Sequence, residues 1–482
     1  LMYCDSALFY EATNSFDAFG HVLMKQGDTL DLVGEELYDN GIDQLARVRY
    51  NVVLTHRDTK LFTDSLDYDR LYDLGYFFEG GKLLDGDNEL TSDWGEYSPT
   101  TRNAIFNYNV RLQTPPMPEP PRTVLLSDTL YYNTLQKIAH VVGPSNIEHG
   151  GNHIYTELGY YNTTTDFSYL LQRSILQNGE KRLIGDSVVW DNQMHEGEAF
   201  GNAVYTDIGN KNMMTGEYCY YNDSTGYAEA TDSAVLIDFS QKDTMWAHAD
   251  TFKLFTHNIN TDSVFRTLHG YRHFRAYRRD IQAVCDSMAY VSKDSCMTMY
   301  YDPILWMNEQ QVLGEEIKAF FNDSTIDSVH IVRQALSVER MDSIHYNQIA
   351  GKMMYFYFLN GDIDHSVVEG NVMVNYYPLD DDSLMIGMNH TESTLMKIFM
   401  KERKVDHIWM PAATGTLYPI PLIPSKDLYL ENFPWFDYVR PLDKMDIFNW
   451  RPKKAGTELK AIVRRKAPQQ KLEDIKASDP PK

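Results

Sequence analysis

The chain is short of positive charge, of cysteine, of helix signals and of long apolar runs, and each shortage excludes something. Its 482 residues carry 44 Lys and Arg against 68 Asp and Glu, a formal net charge of -24. Nucleic-acid binding depends on basic side chains displacing condensed counterions, so no nucleic acid is expected as a partner. Four cysteines, Cys4, Cys219, Cys285 and Cys296, are too few for a disulfide scaffold and lack the paired spacing of a zinc site. Cys285 and Cys296 could meet on neighbouring strands as a disulfide; the preferred reading is two buried thiols. No apolar run approaches the ~18 residues of a membrane-spanning helix, and the longest, such as residues 353–359, are of strand length. Helical spacing is confined to residues 309–321 and a single turn at 472–476. In the first, Leu313, Ile317 and Phe320 fit a helix while Ile317, Ala319 and Phe321 fit a strand equally well. No nucleophile elbow, phosphate loop or metal-binding helix occurs, and neither a metal nor a cofactor is expected. The first residue is Leu1 rather than Met and residues 1–10 already read as a strand, from which a removed signal peptide, or that and a first strand, is expected upstream.

What is present is aromatic. Apolar residues at 43% and charged residues at 23% are an ordinary balance, but 33 Tyr and 22 Phe favour strands, because aromatic rings fit a pleated, half-buried surface. The expected class is all-β. The length suggests about three domains, or fewer if part is a repeat array.

A period of about sixty residues organises the first half. An Asp-Ser/Thr pair, an apolar residue, any residue and an aromatic recur at Asp5 to Phe9, Asp64 to Tyr68, Asp128 to Tyr132 and Asp186 to Trp190, at intervals of 59, 64 and 58. A glycine follows each Asp after 15 or 16 residues (Gly20, Gly80, Gly143, Gly201) and another after 22 or 23 (Gly27, Gly86, Gly150, Gly209). A tyrosine follows after 33 or 34 (Tyr38, Tyr97, Tyr161, Tyr220). This pattern implies stacked antiparallel rungs of about twenty residues, with glycines taking positive φ at the corners. The Asp-Ser/Thr pair is expected to bond its own local backbone; an O-glycosylation acceptor is the weaker alternative. Period-two alternation puts Ala7 and Phe9, Leu66 and Tyr68, Leu130 and Tyr132, Val188 and Trp190 on one face, as a closed core or the lining of a groove.

Beyond about residue 227 the register frays, and the expected division is 1–280 for the repeat array, 281–410 for a second β domain, 411–450 for a proline-rich segment wrapping a surface in extended form, and 451–482 for a basic, disordered tail.

The motifs at residues 27–32 (Gly-Asp-Thr-Leu-Asp-Leu), 201–204 (Gly-Asn-Ala-Val) and 370–374 (Gly-Asn-Val-Met-Val), alternating with Asp-Ser-x-x-aromatic, resemble OstA-like proteins of the Bacteroidota, related to the LptA-like bridge proteins. The resemblance spans most of the chain to about residue 450. It implies an elongated β-jellyroll, or β-taco, with an open apolar interior for lipid acyl chains. It also implies a periplasmic location, and a non-enzymatic role carrying lipopolysaccharide or a related lipid to the outer membrane. The eight interior residues above would then bind lipid, and other jellyroll components of the export machinery would dock on edge strands.

Arg266, Arg272, Arg275, Arg278 and Arg279, with His269 and His273, form the one basic cluster, readable as a site for anions or an acidic partner or as a solvated strand edge. His149, His153, His248 and His257 read as surface or corner residues. Two other functions stay open: a carbohydrate-active β-helix enzyme with paired carboxylates, and a purely structural solenoid with a filled core.

Overall fold

The computed structural model describes residues 1–86, 88–114, 123–322, 325–380, 382, 384–402, 404–431 and 433–457, so the tail is described only as far as residue 457. The described residues form 36 strands and three short 3-10 turns. Residues 309–321 resolve as two strands, Gln310–Leu313 and Glu316–Phe321. The period of two prevails in the second, where Ile317 and Ala319 are buried and the residues on either side of each are half-buried.

The strands follow one another as an antiparallel meander in which long strands carry a bulge at their middle. Leu45–His56 pairs with Thr59–Asp69 along its whole length, except that the register slips between Arg49 and Val52. The two residues inside the slip, Tyr50 and Asn51, both have positive φ. Such a bulge kinks the strand, and the same device recurs at Gly20 and His21, Tyr108 and Asn109, Gln172 and Arg173, Gly201 and Asn202, and Gly370 and Asn371. Elsewhere the kink breaks a strand in two: Leu74–Phe77 and Gly81–Asp85 pair with the two halves of Thr59–Asp69 and act as one bent strand. Stacked, the bent strands form two arms that meet at a spine of bulges and enclose one core, with two lips made of hairpin turns. This is an elongated antiparallel β-jellyroll.

The spine explains the repeated motifs. Gly20, Gly80, Gly143 and Gly201 all have positive φ at the bend, where a side chain would be strained. The Asp of each Asp-Ser/Thr pair sits across from a bulge. His21 Nδ1 lies 2.8 Å from Asp5, Asn202 donates to Asp186 at 2.8 Å, and the Asn51 backbone N–H donates to Asp64 at 3.4 Å. These three carboxylates thus bind the neighbouring strand rather than their own local backbone, because the bulge presents donors that the sheet ladder does not use. Carbonyls stranded by the bulges are met from inside by hydroxyls: Ser92 donates to the Trp94 carbonyl at 2.7 Å, Ser127 to Thr129 at 2.9 Å and Thr156 to Leu158 at 2.8 Å, as buried backbone acceptors require.

The stacking unit is longer than the twenty residues expected. Asn133, Asn162 and Asp191, 29 residues apart, each cap a turn on the same lip by accepting backbone N–H bonds from residues two and three positions on. The sixty-residue period therefore holds four bent strands, two hairpins.

One apolar core runs through the stack from Ala18 to Ile398. The ladder crosses residue 280 without a break, Arg278 pairing with Ile281. A second, smaller core lies on the outside of one arm, where Val284, Trp306 and Val338 pack against Leu430, Phe436 and Val439. Within the proline-rich segment Thr414–Pro419 joins the ladder and three 3-10 turns follow, while buried polar side chains of the arm bind the backbone of residues 428–446. Gln348 binds Leu428 and Leu430, Gln311 binds Pro434 and Phe436, and Arg275 binds the carbonyls of Val439 and Asp446. All four cysteines are free. Cys285 is buried and Cys296 half-buried, so the disulfide does not form, and burial pushes both thiols up.

Candidate functional site

The interior between the arms is the largest continuous apolar feature, and its state changes along the molecule. Leu66, Tyr68, Leu130, Tyr132, Val188 and Trp190 all point inward and are at most 2% exposed, so side chains fill this part of the interior. Ala7 and Phe9 stand opposite Ala18 and Phe16 and share the inward face. They lie on the first described rung, which is exposed, and Phe9 is 64% exposed.

The lips over the filled part are fastened by polar side chains. Near the start, Gln26 donates to Asp73 at 2.9 Å and His56 Nδ1 meets the Tyr97 hydroxyl at 3.0 Å. Next, Asp85 receives Lys137 at 2.6 Å and the Tyr132 hydroxyl at 2.8 Å, while Asn88 reaches Thr163 at 3.2 Å. Further on, Tyr161 joins Thr123 to Asp166, Asn152 donates to Asn192 at 3.2 Å, and Lys181 and Asn178 both bind Asp223. The ladder loosens at Asp207 and Arg266, which stand 3.9 Å apart. An amphipathic ring serves this place well, its body in the core and its tip at the lip. Tyr68, Tyr97, Tyr132, Tyr161, Trp190 and Tyr221 each bring a polar tip to a lip partner.

Burial in this clasp shifts several groups. It raises the Asp39 carboxyl although Arg70 sits at 3.0 Å. It lowers the imidazoles of His56 and His149. For Asp223 burial pulls upward, but the Tyr221 hydroxyl and the Lys181 ammonium outweigh it and hold the carboxyl low.

Past the clasp the interior opens. At the C-terminal end the arms part around a cavity of about 480 Å³, with an apolar side made by Ile349 and Val374 from one arm and Phe356, Ile363, Met396 and Ile398 from the other, Met400, Val405 and Ile408 at its mouth, and a polar side that includes Gln310, Glu339, Asn347 and Asn389. That volume lies in the usual range for small-molecule sites, roughly 300–1,000 Å³. The last strands, Lys404–Trp409 and Thr414–Pro419, pair on one side only, with Gly387–Lys401. The first strands, Met2–Tyr3 and Ser6–Tyr10, likewise pair only with Ser15–Gln26. Among the described residues, the strands at both ends of the stack therefore pair on one side only.

The basic cluster does not converge. Arg266 reaches toward Asp207 on the other lip, Arg272 lies exposed at the spine, and Arg275 is buried under the wrapping segment. Arg278 forks onto Asp280, and Arg279 meets Asp243. His269 stacks on Tyr271 and His273 bonds Asp250. Among the four other histidines, His153 is on the surface and His257 at a strand end, while His149 ends a strand at a lip and His248 packs beneath Phe448.

The end cavity was not anticipated from sequence. Fourteen of the 21 methionines follow residue 280. Only Met396, Met400 and Met410 among them line the cavity, so that enrichment does not by itself locate it.

Residues 1–118 match the family of OstA-like proteins, and the resemblance read from the motifs holds over that part of the chain. No curated protein matches. Among solved structures, LptH from Pseudomonas aeruginosa, the LptA-homologous periplasmic component of the lipopolysaccharide transport device, aligns at 12% identity over 35% of this chain and 78% of its own, with a TM-score of 0.16. So loose a superposition adds nothing to the fold described above.

Proposed function

We propose that the protein is a non-enzymatic periplasmic carrier or bridge for lipopolysaccharide or a related lipid, holding acyl chains inside the jellyroll. The observation that carries this reading is the apolar end cavity, continuous in position with an apolar interior and open at an unpaired rung. Each methylene removed from water gains about 0.8 kcal/mol, so an acyl chain crossing an aqueous space needs such a lining. The match of residues 1–118 to OstA-like proteins supports the same reading. The unpaired edges at both ends suit strand addition to other jellyroll components of an export machinery.

In this account the end cavity is the resting lipid site. The interior set Leu66, Tyr68, Leu130, Tyr132, Val188 and Trp190 meets lipid only when the clasped lips part, and Ala7 and Phe9 meet it where the first rung abuts a partner. The basic residues Arg266, Arg272, Arg275, Arg278 and Arg279 serve the fold and the lips separately rather than as one anion site.

Titration of the purified protein with a fluorescent long-chain fatty acid, followed by displacement with lipopolysaccharide, tests the reading. Binding that both Ile398→Trp and Met400→Trp weaken by roughly tenfold or more, about 1.4 kcal/mol per decade, is the expected result. Unchanged binding by folded variants would remove the end cavity as the site.

A further inference from the structure

The clasp gives way along the side of the stack before its end is reached. Beyond Asp207 and Arg266, the next lips are the loop between strands Val235–Asp238 and Met245–His248 on one side and the turns near Ser295 and Asn322 on the other. They stand around a cavity of about 270 Å³, floored by Leu236, Leu268, Met288, Met297 and Phe321. The loop is drawn to its own lip. Arg278 holds Gln241 at 2.9 Å while forking onto Asp280, and Arg279 holds Asp243 at 3.3 Å. These two arginines therefore keep open the side that the clasp closes elsewhere.

We propose that this opening is a side portal, a binding site separate from the end cavity, which admits one alkyl chain between the lips. The proposal rests on the lipid reading above and adds the route of loading. The volume lies just below the usual small-molecule range, suited to one chain rather than several. Met245, Met288 and Met297 give the lining an unbranched, adaptable character that fits a chain of no fixed shape. The rim arginines are paired with Asp280 and Asp243, so selection here is for the chain and not for a charged head.

Stopped-flow association of a fluorescent long-chain fatty acid with the full chain tests the portal. Met297→Trp, which fills the floor, and Gln241→Trp, on the loop rim and independent of core packing, should each slow association by roughly tenfold. Both should leave the affinity of the end cavity, read as the part of the binding that Met400→Trp removes, within about twofold, since that cavity is untouched. Association at the unaltered rate in either folded variant, with slowing only in Met400→Trp, would overturn the portal and place loading at the end. Absence of binding by the unaltered protein would instead overturn the lipid reading itself, so the two failures are distinct.

Discussion

At the scale of single residues, the clasp is where sequence and energetics meet most sharply. The Asp85 side chain is fully buried and its charge is met by Lys137 at 2.6 Å. Removing one partner of a buried pair leaves the other charge uncompensated, at a cost of about 3–5 kcal/mol. Lys137→Met should therefore lower stability by about 3 kcal/mol in urea unfolding, the low end because Tyr132 still donates to Asp85. Asp85→Leu combined with Lys137→Met should recover most of that loss; a double variant as unstable as the single one would show that the pair is not coupled. The clasp is also sensitive to acid. His56 and His149 are held neutral, chiefly by burial, so their folded pKa values lie below the ordinary value of about 6.5. The unfolded chain binds protons first as pH falls through 6.5, so their contribution is complete above that pH and is lost as pH drops toward the folded values. Thermal unfolding should shift downward between pH 7.5 and about 5.5, and His56→Gln with His149→Gln should flatten the shift.

At the scale of the element, the bend is the design unit, and it was partly legible. Seven of the eight glycine landmarks have the positive φ that glycine adopts without strain, and Gly209 does not. Gly201 is one such corner: an alanine there would hold φ near +70°, with its Cβ 2.8 Å from the Asp186 carboxylate. Gly201→Ala should cost about 1–2 kcal/mol, measurable as a lower urea midpoint with an unchanged slope. The tyrosine landmark was less informative. Tyr97 and Tyr161 are buried, but Tyr38 is exposed and Tyr220 faces outward while Tyr221 fills the interior, since a slip of one residue moves a side chain to the other face. The length of the rung was misread because half the corners carry no glycine and use Tyr50 and Asn51 or Gln172 and Arg173 instead. The wrapping segment depends on side chains distant in sequence. Gln311 satisfies two of its backbone groups from more than 120 positions away, and no local pattern encodes that. Gln311→Leu should free both groups, at about 1–3 kcal/mol each, and show as faster hydrogen exchange across residues 428–446 with the jellyroll strands unchanged.

At the scale of the whole molecule, alternation told which residues face inward but not whether the inside is full. That is decided by how far the arms diverge, which follows from the sum of side-chain volumes and lip contacts along the stack. Bulky rings tied to lip partners fill and close the first part, whereas methionines and aliphatics without such tips leave the last part open. The result is a molecule with a clasped body and an open C-terminal end. The most direct test is photo-crosslinking in cells that make lipopolysaccharide, with a photoreactive residue placed at Ile398 inside the end cavity, at Leu130 beneath the clasp, and at Tyr355, which points outward beside His330. The account predicts lipid captured at Ile398, lipid at Leu130 only when Lys137→Met loosens the clasp, and none at Tyr355. Equal capture at Tyr355 and Ile398, or none at Ile398, would contradict it.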